Sequence, residues 1–265
     1  MCGIAGLIHT RFDSERVKNL LIALSTRGLD ATGMAWIDNN GLWHSYKGCL
    51  SAEKFIANEI NICLFRELET TNHYAVLFHC RNATHGSASD INNAHPILVR
   101  GRGFILHNGI VYVKKVYSSK GQTDSEQMLR SILKNGLRKA LEEEVFGWYA
   151  IAYVNVKNSK EIILTRRLAP LFLAKIESGG LIFSSTIRIM KAYKQDIIYK
   201  DLILINENNV LSIGTERGNF EYQKSIKEGY PRIPSVFGKM SEEGLSSSRI
   251  FRDSNNFLSY YGGRA

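Results

Sequence analysis

A cysteine stands second in this 265-residue chain, directly behind Met1 and at the head of "CGIAGLI". If Met1 is removed, one residue carries both a thiol and a free α-amino group, a nucleophile joined to a candidate base. The plainer reading of Cys2 is a small buried hydrophobe. A second stretch dense in chemistry is "HCRNATHGSASDINNAHPILVRGRGFILHNG", from His79 to Gly109, which holds four of the seven histidines. Their intervals of six, ten and twelve residues match no HExxH-type ligand spacing, and carboxylates are scarce there, so no metal is expected. As an anion and amide site the stretch does better. Arg81 can clamp a carboxylate, and Asn108-Gly109 can aim a side-chain amide and a backbone N–H at a developing oxyanion.

Elements must bring these distant residues together. Ile4–Ile8 reads as a strand. "SERVKNLLIALSTRG" reads as an amphipathic helix capped at Ser14 and stopped at Gly28. A hairpin turning at Asn40-Gly41 follows, then a helix over 52–68. β-Rich runs recur at "YAVLFHC", "PILVRGRGFILHNG", "GWYAIAYVNV" and "EIILTRR", with helices over 124–134 and 136–145 between the second and third. "TDSE" at 123–126 is a capping box that puts Asp124 in the first helical turn. Further strands are expected near 171–176, 181–185 and 202–213. Strands in hairpin order with helices arriving in pairs imply antiparallel sheets covered by helices, not a βαβ repeat.

Composition bounds the function classes. Apolar residues make up 44% of the chain, and no apolar run approaches the roughly 20 residues that span a bilayer. No signal-peptide pattern is present, so no membrane partner and a cytoplasmic location are expected. The four cysteines have neither CxxC nor zinc-ribbon spacing and read as reduced thiols. The net charge of +9 permits a polyanion such as nucleic acid as partner, but the basic residues are dispersed and mark no site for one.

"MCGIAG", "RGLDATG" at 27–33, "RNATHG" at 81–86, "NAHPI" at 93–97, "HNG" at 107–109 and "TDSE" occur in the order found in class II glutamine amidotransferases. Residues 2–215 thus resemble the glutaminase domains of glutamine-fructose-6-phosphate aminotransferase, glutamine phosphoribosylpyrophosphate amidotransferase and asparagine synthetase B. The resemblance implies an α+β fold, a four-layer αββα sandwich of two antiparallel sheets of the N-terminal-nucleophile hydrolase kind. It also implies that glutamine is hydrolysed through a Cys2 thioester to glutamate and ammonia, with no cofactor. Asn108 and Gly109 map onto the family's oxyanion hole, Arg81 onto its carboxylate ligand and Asp124 onto its α-ammonium ligand. Arg27 maps onto the loop that closes over glutamine, and Thr84, His85 and Gly86 onto the pocket wall. His95 and His107 are expected to be structural.

Asn82 stands where the family often has an aromatic residue, and Ala31 replaces a common serine. These departures bear on loop closure and affinity more than on the chemistry. A non-catalytic glutamine-binding module and an amidohydrolase of the same fold acting on another amide are the rival readings. The expected division is a glutaminase domain over 2–214 and an extension over 215–265, anchored by Phe237, Phe251, Phe257, Tyr260 and Tyr261. So short an extension cannot hold a synthetase, which implies a separate ammonia-accepting enzyme that the extension helps to dock.

Overall fold

The computed structural model describes residues 1–38, 40–70, 73–119, 121–158, 161–193, 197–214, 220–223, 250–252 and 258–260. It separates into two units, Met1–Gly229 and Tyr230–Ala265. In the second, β14 (Ile250–Arg252) and β15 (Leu258–Tyr260) form an antiparallel pair. The expected anchors Phe237, Phe257 and Tyr261 lie outside the described residues, as do the side chains of Phe251 and Tyr260.

The first unit is built from two antiparallel sheets. One contains β1 (Gly3–Ile8), β2 (Ala31–Asp38), β3 (Trp43–Gly48), β4 (His73–Arg81), β9 (Phe172–Ile176), β10 (Leu181–Ser184) and β11 (Ile197–Leu204). Its order is β11-β9-β10-β1-β4-β2-β3. The other contains β5 (Ile97–Val99), β6 (Gly103–Val113), β7 (Val145–Asn155), β8 (Glu161–Arg167), β12 (Val210–Gly214) and β13 (Phe220–Gln223), ordered β13-β12-β8-β7-β6-β5.

Alternation along each strand sends successive side chains to opposite faces, and this sorts the core into three layers. Ala5 and Leu7 of β1, with Val76 and Phe78 of β4, face helices α1 (Ser14–Ser25), α2 (Ala52–Ala57), α3 (Glu59–Thr70) and α6 (Ile187–Ala192). Ile4, Ile8 and Leu77 face the other way and meet Phe104 and Leu106 of β6 between the sheets. Ile105 and Ile151 of the second sheet pack under Met128, Leu129 and Ile132 of α4 (Asp124–Asn135). The helix–sheet–sheet–helix order is the four-layer αββα sandwich expected from the resemblance. Among the described residues no helix is long and apolar enough to cross a membrane.

Local details depart from the sequence reading. Asp13, not Ser14, caps α1 by accepting from Arg16 N at 3.0 Å, while the Ser14 N–H goes to Glu69. The helix expected over 52–68 breaks at Asn58, whose backbone is extended and whose Oδ1 accepts from Ile60 N at 3.0 Å. That short side chain offers the chain a local alternative to helical bonding. The helix expected over 136–145 is a single turn, α5 (Leu137–Lys139), followed by a π-turn over Ala140–Glu144. The strand expected over 202–213 is two strands, β11 and β12, and between them Asn208 takes a left-handed φ of 59°. Half of the capping box forms: Thr123 Oγ1 accepts from Glu126 N at 3.2 Å, but the Glu126 carboxylate accepts from Gly121 N and pairs with Arg130 instead.

Candidate active site

The cleft is assembled where the apolar layer between the sheets runs out. Two residues before Ile4, Cys2 immediately precedes β1. Beyond Leu77, β4 continues on the same face with His79 and Arg81; beyond Leu106, β6 continues with Asn108. Cys2, Arg81, Asn82, Thr84, His85, His95, His107, Gly109, Thr123, Asp124 and Ser125 line one narrow cleft. Of the residues expected at the site, the cleft wall contains Cys2, Arg81, Thr84, His85, Gly109 and Asp124. Arg27, Gly86 and Asn108 stand outside its lining.

Cys2 Sγ lies 3.4 Å from Asn82 N, which donates to it, and 3.5 Å from Asn82 O. Burial pushes the thiol pKa up, and the Asn82 N–H opposes that shift. The α-amine is carried by Met1, and burial lowers its pKa. Arg27 closes over this terminus, its Nε donating to Cys2 O at 3.4 Å.

Arg81 is buried, with NH1 donating to Ser87 O at 3.0 Å and NH2 to His85 O at 2.6 Å and Gly86 O at 3.4 Å. The 85–87 turn is therefore wrapped around the guanidinium. Gly86 has a φ of 71°, and a Cβ there would come within 2.5 Å of Asn93 Nδ2, so only glycine fits the turn without strain. Asp124 is fixed from β6 and from its own helix start: Oδ2 accepts from Val111 N and Oδ1 from Ser125 N, each at 2.9 Å. A cation at the end of β4 and an anion at the start of α4 thus face one cleft.

Asn108 is fully buried, and neither its Oδ1 nor its Nδ2 has a hydrogen-bond partner among the described residues. An orphaned buried amide costs about 1–3 kcal/mol, which makes it a pointer to function. Gly109 beside it has a φ of 155°, and a Cβ there would press on Tyr149 Cα and His107 Nε2.

Histidines complete the floor. The His79 and His95 rings stack with centroids 3.9 Å apart, and His79 Nε2 lies 3.0 Å from His107 O. His107 Nδ1 lies 2.8 Å from Ser125 Oγ. Burial holds all three below the ordinary histidine range, His79 at about 3, so they are neutral at pH 7. Among the described residues no three His, Cys, Asp or Glu side chains are grouped to hold a metal ion.

Asn82, Thr123 and Ser125 escaped the sequence reading as cleft residues. Thr123 and Ser125 flank Asp124 in "TDSE", and that adjacency was the available signal.

No protein-family model matches the chain. It is 28% identical over 297 residues to the isomerizing glutamine–fructose-6-phosphate aminotransferase of Sulfolobus acidocaldarius, covering 97% of this chain and 47% of that protein. It is 27% identical over 231 residues to the Oceanobacillus iheyensis enzyme of the same name, covering 79% and 36%. Glutamine phosphoribosylpyrophosphate amidotransferase from B. subtilis superposes with a TM-score of 0.65 at 16% identity, over 86% of this chain and 50% of that one, which shows a shared fold. Together these relatives point to a class II glutamine amidotransferase domain. The chain spans less than half the length of these two curated relatives. Within the amidotransferase-like domain, the motif residues Cys2, Arg81, Gly109 and Asp124 meet in one cleft although they lie on four separate stretches of sequence.

Proposed function

We propose that this domain hydrolyses the side-chain amide of glutamine. One observation carries the reading: a cysteine thiol lies in a cleft with a buried arginine and an aspartate, the opposite charges needed at the two ends of a free amino acid. Arg81 receives the α-carboxylate and Asp124 the α-ammonium, which leaves the carboxamide to reach Cys2. Removal of Met1 places the α-amine on Cys2, and an α-amino group near pKa 7.7–8.0 is a suitable base at neutral pH.

The amine takes the thiol proton as sulfur bonds to the amide carbon. The oxyanion is met by the Asn108 amide and the Gly109 N–H, which explains why a buried amide stands unpartnered. The tetrahedral intermediate expels ammonia, with the proton returned by the same amine, and leaves a thioester. Water then adds to the thioester and releases glutamate and the thiol. Arg27 and the 84–86 turn close around the substrate, and the ammonia passes to a separate acceptor enzyme. The division into a domain over 2–214 and a docking extension over 215–265 belongs to the same reading.

A glutaminase assay with a Cys2→Ala control tests it, combined with intact-mass measurement. The expected result is glutamate release by protein that starts at Cys2, and none by Cys2→Ala. Glutamine binding without hydrolysis in the unsubstituted protein would make the domain a binding module. Hydrolysis of other amides in preference to glutamine would reassign the substrate.

A further inference from the structure

The wall of the cleft formed by residues 82–96 is held at three points, two of them on the first sheet and one on the loop before α4. Arg81 holds its first part through the carbonyls of residues 85–87. Asn93 holds the middle, its Nδ2 donating to Ser87 O at 3.1 Å and its Oδ1 accepting from Gln122 N at 2.8 Å. At the far end Lys47 Nζ donates to Ala94 O at 2.6 Å and to Pro96 O at 3.0 Å, the carbonyls on either side of His95. Lys47 stands on β3 directly across from Gly33 of β2. A Cβ at Gly33 would strike the His95 carbonyl and come within 2.8 Å of Lys47 Cβ. The β2–β3 pair is thus shaped to receive the 94–96 segment: Gly33 supplies the space and Lys47 the donors.

We propose that Lys47 is a positioning residue for substrate binding, acting through the 82–96 wall. Resting on the glutaminase reading, the proposal adds a residue that stands in none of the six motifs. Lys47 fixes both carbonyls around His95, so the His95 ring stays stacked on His79 and facing the cleft. It is half-buried, and burial pushes its ammonium down to about 8, a desolvation that a lysine free to reach solvent would avoid. Cys49, Asp90 and Glu126 are the acidic groups whose fields reach it, but its donated bonds go to the two carbonyls. The wall supplies Asn82, Thr84, His85 and His95 to the cleft, whereas Asn108 and Gly109 stand on β6. Loosening the wall therefore weakens glutamine binding and leaves the oxyanion donors in place.

Lys47→Met and Lys47→Arg are compared with the unsubstituted protein in steady-state glutaminase kinetics and in amide hydrogen exchange without substrate. Lys47→Met is expected to raise KM about tenfold with kcat within about twofold, and Lys47→Arg, which keeps charged donors, to recover most of the loss. Exchange over residues 83–95 is expected to quicken in Lys47→Met only. An unchanged KM, a fall confined to kcat, no recovery by arginine, or exchange quickened equally across the whole chain would overturn the assignment. Absence of glutaminase activity in the unsubstituted protein would sink the functional reading alone, because the exchange comparison still decides whether Lys47 holds the wall.

Discussion

Two ends of one layer differ sharply. On the faces of β1, β4 and β6 that meet between the sheets, one end carries Ile4, Ile8, Leu77, Phe104 and Leu106, all buried and mutually packed. Further along the same faces stand Cys2, His79, Arg81 and Asn108, with His95 stacked on His79. Backbone, alternation and burial continue from one end to the other; only side-chain chemistry changes. The apolar end is satisfied by contact alone. The polar end leaves Asn108 Oδ1 and Nδ2, His79 Nδ1 and both His95 ring nitrogens without partners among the described residues. Buried polar atoms in that state destabilise a fold, so their concentration at one end marks where the sandwich gives up stability for a site.

The largest expected effect separates the two ends by function. Asn108→Ala should lower kcat about 10²–10³-fold with little change in KM, because an oxyanion donor acts mainly in the transition state. Its unfolding free energy should be unchanged or higher, since the lost amide has no partner to leave behind. A fall in stability without a fall in kcat would make Asn108 an ordinary core residue and erase the contrast.

A smaller effect is read by pH. His79 is held at about 3 in the folded chain, against about 6.5 unfolded, and His95 is shifted in the same direction. Below pH 6.5 the unfolded chain binds protons that the folded chain refuses, so stability is lost as the pH falls from 6.5 toward 3. His79 contributes a slope of about 1.4 kcal/mol per pH unit in that window, and His95 acts with the same sign. Denaturant unfolding between pH 7 and pH 4.5 should show this slope, and His79→Phe should flatten it. An unchanged slope in the variant would mean that the polar end is hydrated enough to charge.

The smallest effect probes the apolar end. Ile4→Val, two residues from Cys2 on the same face, should cost about 0.5–1.5 kcal/mol of stability and leave kcat within about twofold. A large loss of kcat would show that packing at Ile4 sets the position of Cys2, and would blur the boundary drawn here.

The pattern of strands and helices was legible because alternation and amphipathic spacing are local: Ile4–Ile8, the Asn40-Gly41 turn and α4 all follow from neighbours in sequence. The misread boundaries were decided by competing side-chain bonds. Asn58 offers its oxygen to Ile60 and breaks a helix whose apolar spacing runs on. Glu69, on another helix, takes the Ser14 N–H and leaves Asp13 to cap α1.

By itself the sequence determined the candidates for a site, because Cys2, Arg81, Asn108, Gly109 and Asp124 stand in ordered motifs whose chemistry depends on residue type. It also determined which residues share a strand face, since alternation is fixed by the pleat. Only the tertiary structure decided which of them meet. Arg81 ends β4 of one sheet, Asp124 opens α4 over the other, and the two reach one cleft through the stacking of the layers. Lys47 joins the site because β3 pairs with β2 in a register that sets it across from Gly33, beneath the carbonyls of Ala94 and Pro96. No local pattern specifies that meeting: hydrogen bonds from a lysine to main-chain carbonyls 47 and 49 residues away leave no periodicity in the sequence.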